Sequence, residues 1–231
     1  MRRNLLLLGL LAGFAAVATL PLSLATPHLA LPGITADEAA GTLWSGTLRA
    51  TRMGGQALGD IGVALRPLPL LLGQRQVDLS GASWSARIAQ GRRTGVLSSD
   101  GLLPPTLLAP LGGASLGVSL RQARLLFEDG RCIDAAGSVV AVLQWQDAQL
   151  PELQLEGPVE CAGGEGRVSL TNADRGPFPV QLLATISGDG SYRLHASAQP
   201  VDALARTALV MAGFHDSPTG LGQSLEGNLL K

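Results

Sequence analysis

The segment best suited to catalysis by residue type and spacing is Gly113-Ala-Ser115-Leu-Gly117, which matches the G-x-S-x-G turn of serine hydrolases. In those enzymes the serine stands between a strand and a helix, and a neighbouring base activates it. Here Ser115 instead follows a proline-rich apolar stretch and runs into a strand pattern at Val118-Ser-Leu120. The histidines that could act as bases are better explained as solvated side chains: His28, His195 and His215. Because no other reactive cluster is present, we expect that the protein is not an enzyme.

Acidic and glycine-rich segments are the candidates for metal and phosphate sites in this sequence. The segment Ala162-Gly-Gly-Glu-Gly166 lacks the Lys-Ser/Thr pair and the following helix of a phosphate-binding loop, and it predicts a hairpin turn. We therefore expect no metal and no cofactor. Since 17 Lys and Arg balance 18 Asp and Glu, no basic surface for nucleic acid is expected either. The candidate carboxylates are scattered in predicted turns and strand ends, without ligand spacing: Asp100, Glu128, Asp129, Asp134 and Asp147.

The two cysteines occupy matching places in a quasi-repeat. Cys132 and Cys161 each begin a Cys-x4-Gly-x-Val pattern that ends at Val139 and Val168. In an oxidising compartment an isolated pair of cysteines predicts one disulfide, and matching positions at the ends of neighbouring strands could bring them within bonding distance. A zinc site lacks a nearby histidine, and a redox pair is more often CxxC. We therefore predict a Cys132–Cys161 disulfide.

A second quasi-repeat contains two tryptophans. Gly41-Thr-Leu-Trp44-Ser-Gly46-Thr-Leu48 and Gly81-Ala-Ser-Trp84-Ser-Ala-Arg-Ile88 align without a gap. Each copy predicts a strand with Trp, a small residue and an aliphatic residue on one face. Core aromatics explain Trp44 and Trp84 best, and a pair of tryptophans that grips a ligand is the alternative.

The elements that carry these residues are predicted to be strands. Thirty Gly, 14 Pro and only 15% charged residues favour short strands with tight turns over a helical bundle. We predict a mainly β fold, a curled, antiparallel, repeat-containing sheet with one short C-terminal helix and an N-terminal transmembrane helix. The segments that alternate apolar with small or polar residues are 42–50, 61–66, 76–88, 116–125, 137–144, 166–170, 180–186 and 191–196.

One segment departs from alternation. Val201–Met211 places Leu204, Ala208 and Met211 at helical spacing before Gly213, which predicts a helix. The apolar stretch Leu102–Leu111 is broken by prolines and predicts either a wide loop or a short helix that begins at Pro105.

The N-terminus carries an uncharged apolar run from Leu5 to Ala25, preceded by Arg2 and Arg3. At about 1.5 Å per residue, such a helix can cross a hydrocarbon core of about 30 Å. No Lys or Arg follows until Arg49, so the N-terminus is expected in the cytoplasm and the rest outside. A cleaved signal peptide is the alternative, because Ser23-Leu-Ala25 resembles a cleavage site, but the run exceeds the about 7–15 residues of an ordinary signal core.

These signals divide the chain into four predicted segments. Residues 1–4 form a cytoplasmic N-terminus, 5–25 the transmembrane anchor or signal peptide, 26–33 a linker, and 34–231 a β-rich periplasmic domain. We therefore predict a single-pass protein of a bacterial inner membrane.

Several motifs together resemble the GspN, or type II secretion system protein N, family. Ala39-Ala-Gly41-Thr-Leu-Trp44-Ser-Gly46 is similar to the A-x-G-T-x-W-x-G start of that family. Further along, Gly130-Arg-Cys132 and Glu160-Cys161 are similar to its paired glycine-rich strands. The closing strand, helix and strand of the family are matched by 188–194, the helix end at 211–213, and 220–229. The resemblance covers nearly the whole chain.

The resemblance implies a non-catalytic subunit of the machine that exports folded proteins from the periplasm across the outer membrane. Its partners would be other secretion subunits, bound through sheet edges or a concave apolar face. Trp44 and the disulfide would maintain its shape. The alternative function is a tethered periplasmic lipid carrier, which needs apolar positions that stay open as a groove; a secretion subunit should bury them or cover them with the Val201–Met211 helix.

Overall fold

The computed structural model describes residues 18–23, 34–53, 56–103, 114–145, 152–172, 178–200, 202–211, 213–218 and 220–228. In chain order the elements are β1 (Ile34–Thr35), β2 (Glu38–Thr42), β3 (Ser45–Met53), β4 (Gln56–Leu65), α1 (Pro67–Leu71), β5 (Arg75–Ser80), β6 (Trp84–Gln90), β7 (Arg93–Leu103), β8 (Ala114–Glu128), β9 (Arg131–Trp145), β10 (Leu153–Ala162), β11 (Glu165–Thr171), β12 (Val180–Ile186), β13 (Ser191–Ala198), α2 (Ala203–Met211), β14 (His215–Ser217) and β15 (Gly220–Asn228).

The strands form one open antiparallel sheet of 15 strands. From β3 to β13 each strand pairs with the next one along the chain, as in a series of hairpins. At one edge β1 and β2 both pair with β3, and at the other β15 joins β13 and carries the short β14 outside it. The predicted antiparallel, mainly β class with a short helix near the C-terminus is confirmed.

The N-terminal half of the sheet buries one apolar face. Ile61, Val63 and Leu65 alternate with more exposed residues along β4, and Val77 and Leu79 continue the face on β5. This period of two places every second side chain on the same side of a strand. Together with Leu48 and Leu22 these residues form one core cluster, the N-terminal core.

Leu22 joins the N-terminal core from outside the sheet, and its side chain is 0% exposed. The segment that carries it is fixed by backbone contacts, since Pro21 bridges to Thr42 and the Leu43 N–H donates to the Leu20 carbonyl at 2.9 Å. Gly46 makes this approach possible, because a Cβ there would lie 2.6 Å from Leu22 Cδ2. The C-terminal part of the predicted anchor therefore packs against the sheet.

The C-terminal half has its own core cluster. Along β10 Leu153, Leu155, Gly157 and Val159 are buried, while Gln154, Glu156 and Pro158 between them are exposed. Ala205 and Leu209 of α2 belong to the same cluster and are each 1% exposed. The helix therefore shares a core with the apolar face of this half of the sheet.

The ends of α2 follow local rules. The Ala205 N–H donates to Asp202 Oδ1 at 2.6 Å, which satisfies a free amide of the first turn. Gly213, at φ +90°, follows the last turn, where its N–H donates to the Val210 carbonyl. The predicted helix is confirmed. Leu204 and Met211, whose spacing indicated it, are exposed, because the sheet contacts the side of the helix that carries Ala205 and Leu209.

Several strand predictions were wrong in their bounds. The predicted strand Thr42–Ala50 contains a turn, since β2 ends at Thr42 and β3 begins at Ser45. The predicted strand Gln76–Ile88 is the hairpin of β5 and β6, closed where the Gly81 N–H donates to the Trp84 carbonyl at 2.9 Å. Strands β7 and β10 and helix α1 were not predicted, and most of the Leu102–Leu111 stretch lies outside the described residues.

Two β-bulges repeat one arrangement in different parts of the sheet. Ala50 in β3 and Gln122 in β8 both have φ +49°, an uncommon value for residues with a Cβ. The Ala50 N–H donates to Asp60 Oδ1 on β4 at 3.1 Å, and the Gln122 N–H donates to Asp100 Oδ1 on β7 at 2.6 Å. A carboxylate on the neighbouring strand thus binds the amide of each irregular residue. Because a bulge bends its strand, the sheet bends at both sites.

Within the described residues, no helix has the length and apolar character that a membrane crossing requires. The predicted transmembrane helix lies mostly in residues 1–17, outside the described part of the chain.

Candidate functional site

The disulfide between Cys132 and Cys161 is present, with a Cα–Cα distance of 5.6 Å. It joins β9 and β10 beyond the end of their hydrogen-bonded ladder, which runs from Leu143–Leu153 to Ser138–Pro158. The same region is tied by the Cys132 N–H, which donates to the Gly164 carbonyl at 2.7 Å. The bridge therefore holds two strands together where backbone pairing has ceased.

The residues of the tryptophan motif lie around the N-terminal core. Trp44 stands in the turn between β2 and β3, Trp84 is the first residue of β6, and both pack partly buried against this core. Gly41, at φ +88°, pairs with Gly46 across the β2–β3 hairpin, and a Cβ on Gly41 would lie 2.7 Å from the Ser45 carbonyl oxygen. The structure thus brings both tryptophans and Gly46 to the N-terminal core, while Gly41 is exposed and shapes the hairpin turn.

The residues considered for catalysis are dispersed. Ser115 lies in β8, and its hydroxyl donates to the Gln144 carbonyl on β9 at 3.3 Å. His195 is exposed on β13, with Nδ1 2.9 Å from Ser224 Oγ on β15, whereas His215 lies in β14 and His28 lies outside the described residues. In the part of the chain that is described, no three His, Cys, Asp or Glu side chains come close enough to hold a metal ion.

The edge formed by β15 presents unpaired backbone groups. β13 pairs with β15 along its whole length, from Leu221 opposite Ala198 to Asn228 opposite Ser191. On its outer side, among the described residues, β15 pairs only at Gly220–Gly222, with β14. Between Gln223 and Gly227, the backbone N–H and C=O groups that point away from β13 are therefore left for an added strand. We call this stretch the β15 edge.

The side chains along the β15 edge are mostly polar, and Ser224, Leu225 and Glu226 are exposed. Glu226 accepts a hydrogen bond from Arg193 Nε of β13 at 2.6 Å, and this contact raises the pKa of the guanidinium. Between these polar groups Leu225 is 41% exposed. The edge thus combines free backbone groups with one apolar side chain, as strand addition requires.

A charged cluster joins Arg66, the residue between β4 and α1, to Asp78 on β5 and Arg87 on β6. Asp78 Oδ2 accepts from Arg66 Nε at 2.8 Å, and Asp78 Oδ1 accepts from Arg87 Nε at 2.5 Å. Partial burial acts to raise the pKa of Asp78, but the hydrogen bonds and charges of the two arginines together outweigh it and lower that pKa below its ordinary value. The cluster therefore joins β5 and β6 to the base of α1.

The lowered pKa of Asp78 gives a testable pH dependence. A carboxylate with a folded pKa below its unfolded pKa of about 3.9 stabilises the fold above that value and loses this contribution as pH falls through the folded pKa. In thermal unfolding between about pH 5 and pH 2, wild type should lose stability more steeply than Asp78→Asn. Asp37→Asn, which changes an exposed carboxylate outside this cluster, is the control and should leave the slope of wild type. Parallel profiles for wild type and Asp78→Asn would contradict the assignment.

Sequence reasoning missed both α1 and this cluster. The sequence signal for α1 is the run Arg66-Pro-Leu-Pro-Leu-Leu-Leu-Gly73. Its apolar residues do not alternate with polar ones, as they would in a strand, and two prolines stand at its start. Pro at the first helical positions and Gly after the last turn are start and stop signals of a short helix.

One comparison with known proteins agrees with the family resemblance of the motifs. The family model described as type II secretion system (T2SS), protein N matches residues 32–221. No curated protein and no solved structure gives a significant match. The matched range includes the Gly41–Trp44 turn, both cysteines and α2. The chain therefore belongs to the type II secretion system protein N family.

Proposed function

We propose that this protein is a non-catalytic subunit of the type II secretion system, anchored in the inner membrane by its N-terminal leader with the sheet in the periplasm. It supports export of folded proteins by binding other secretion subunits, and the β15 edge is the surface that binds them. The observation that carries the proposal is the family match over residues 32–221, combined with an open sheet edge.

The packing of Leu22 supports an uncleaved leader, in which residues 20–22 belong to the folded domain and the membrane segment ends before them. Cleavage after Ala25 would remove Leu22 from the N-terminal core and leave a cavity beside Gly46. It would also remove the Leu20 carbonyl that accepts from the Leu43 N–H. The mature protein therefore keeps its leader, and its intact mass should be that of the full chain or of the chain without Met1.

The state of the apolar face bears on the lipid-carrier alternative. A carrier needs an open groove, whereas Leu155 on β10, Leu209 on α2 and Leu221 on β15 are each 1% exposed or less. Helix α2 contacts this face through Ala205 and Leu209, as expected for a subunit that covers the face with a helix. In the C-terminal half of the described sheet, this observation favours the secretion subunit.

Gene deletion tests the proposal at the level of the cell. We expect exoproteins to accumulate in the periplasm while the lipid composition and detergent resistance of the outer membrane stay normal. Normal export with altered outer-membrane lipids would overturn the proposal in favour of the carrier.

A substitution at the β15 edge tests the binding surface. Leu225→Lys places a charge where a partner strand would pair, and edge lysines oppose strand addition. In the deletion strain, complementation with this variant should restore several-fold less exoprotein release than wild type. Leu204→Lys, at a 53% exposed position of α2, is the matched control and should complement fully. If deletion blocks export but Leu225→Lys complements fully at equal abundance, another surface binds the partner.

A further inference from the structure

Helix α1 and the residue that follows it, Pro67–Leu72, are called the α1 turn here. This turn leaves three large apolar side chains in solvent. Leu68 is 75% exposed, and Leu71 and Leu72 are each 84% exposed. By contrast Leu70 packs against the N-terminal core and fixes the turn to the sheet. Because burial of apolar surface is favourable, three neighbouring exposed leucines indicate a surface that something covers.

The α1 turn and the N-terminal leader lie at the same end of the sheet. The Leu65 N–H, at the end of β4, donates to the Leu43 carbonyl at 3.0 Å, and the Leu43 N–H donates to the Leu20 carbonyl at 2.9 Å. Leu22 and Leu70 also belong to the same core. The chain thus enters the described structure beside α1, and the residues before Ala18 are the apolar, uncharged run that begins at Leu5.

The charges around the α1 turn are mainly positive. Between Leu65 and Arg93 the acidic residue is Asp78, which the Arg66 and Arg87 side chains already bind. The β6–β7 turn lies against the loop after α1, since a Cβ on Gly91 would be 3.2 Å from the Gly73 carbonyl oxygen. From that turn Arg92 and Arg93 both reach Glu128 on β8, and the Arg92 side chain remains 81% exposed. The arginines of this region are Arg66, Arg75, Arg87, Arg92 and Arg93.

We propose that the α1 turn is a second membrane contact, in which Leu68, Leu71 and Leu72 insert into the interface of a bilayer that contains anionic phospholipid. Exposed leucines beside arginines are the features of an interfacial membrane contact. The inference rests on the proposed anchor, which places the same end of the sheet at the membrane. Together the leader and α1 hold this end of the sheet against the bilayer and set the orientation of the β15 edge.

Site-specific fluorescence of the full chain in vesicles tests this contact. Leu71→Cys, labelled with an environment-sensitive nitrobenzoxadiazole dye, reports on the turn, while Cys132 and Cys161 are protected in their disulfide. Met211→Cys is the matched control, because this residue is 79% exposed and α2 connects strands at the opposite end of the sheet. The vesicles contain phosphatidylethanolamine and phosphatidylglycerol, with and without lipids that carry a doxyl quencher.

We expect the dye at residue 71 to emit at shorter wavelength and to be quenched by doxyl lipids, and the dye at residue 211 to show neither effect. Quenching should weaken when phosphatidylcholine replaces phosphatidylglycerol, and equal quenching would overturn the role of the arginines. A blue-shifted dye at residue 71 that doxyl lipids do not quench would show that protein covers the turn, which would overturn the membrane contact.

Alkaline extraction separates this inference from the anchor on which it rests. The α1 contact would be overturned, and the anchor left intact, by two results together. The full-length protein would stay in the alkali-washed membrane, and the dyes at residues 71 and 211 would emit at the same wavelength without quenching. Release of the full-length protein by alkali would overturn the anchor itself.

Discussion

Replacing both cysteines, in Cys132→Ala/Cys161→Ala, should lower the free energy of unfolding by about 3–4 kcal/mol. The bridge closes a loop between residues 29 apart in sequence, so its loss enlarges the unfolded ensemble. The native state loses a connection as well, since the disulfide joins β9 and β10 beyond their hydrogen-bonded ladder. Denaturant unfolding of the full chain, followed by tryptophan fluorescence, measures the difference.

Reduced wild-type protein is the control for the cysteine variant. With reductant present, wild type and the double variant should unfold at the same denaturant concentration, because neither has a bridge. Coincident unfolding curves without reductant would contradict a stabilising role for the bridge. We also expect export by the double variant to decline in proportion to its lower abundance in the cell, since the disulfide supports shape and not contact.

Leu22→Ala should lower the free energy of unfolding by about 2–5 kcal/mol. The leucine is 0% exposed in the N-terminal core, and its truncation leaves a cavity that Gly46 cannot fill. Trp44 and Trp84 pack against the same core, so their fluorescence should report the transition directly.

Leu20→Ala is the matched control for Leu22→Ala. The Leu20 side chain is 37% exposed, and the contact it makes with Leu43 uses its backbone carbonyl, which the substitution keeps. We expect a change well below that of Leu22→Ala. Equal stability of wild type and Leu22→Ala in the mature protein would mean that this segment is absent from the fold, as cleavage after Ala25 requires.

Local patterns predicted much of the sheet. Strand β12 has the predicted bounds Val180–Ile186, and the alternation that predicted it places Val180 and Leu182 in the core with the exposed Gln181 between them. The hairpin at Gly81 shows where such patterns fail. Alternation continues on both sides of that turn, so the sequence resembles one long strand although the backbone reverses.

The face of α2 shows a second limit of local pattern. Leu204 and Met211 have helical spacing, and so do Ala205 and Leu209. Which pair is buried depends on contacts with Phe214 and Leu221, which lie in one core with Ala205 and Leu209. Spacing along a helix predicts that a face exists, whereas the elements that meet it decide which face is buried.

The sequence by itself determined the antiparallel class, the disulfide pair and the family, because alternation, a single pair of cysteines and motif order are properties of the chain. Only the tertiary structure decided that Leu22 enters the core beside Gly46, that α1 stands next to the end of the leader, and that Gln223–Gly227 remains at an open edge. Each of these depends on residues that are distant in sequence and meet only when the sheet has formed.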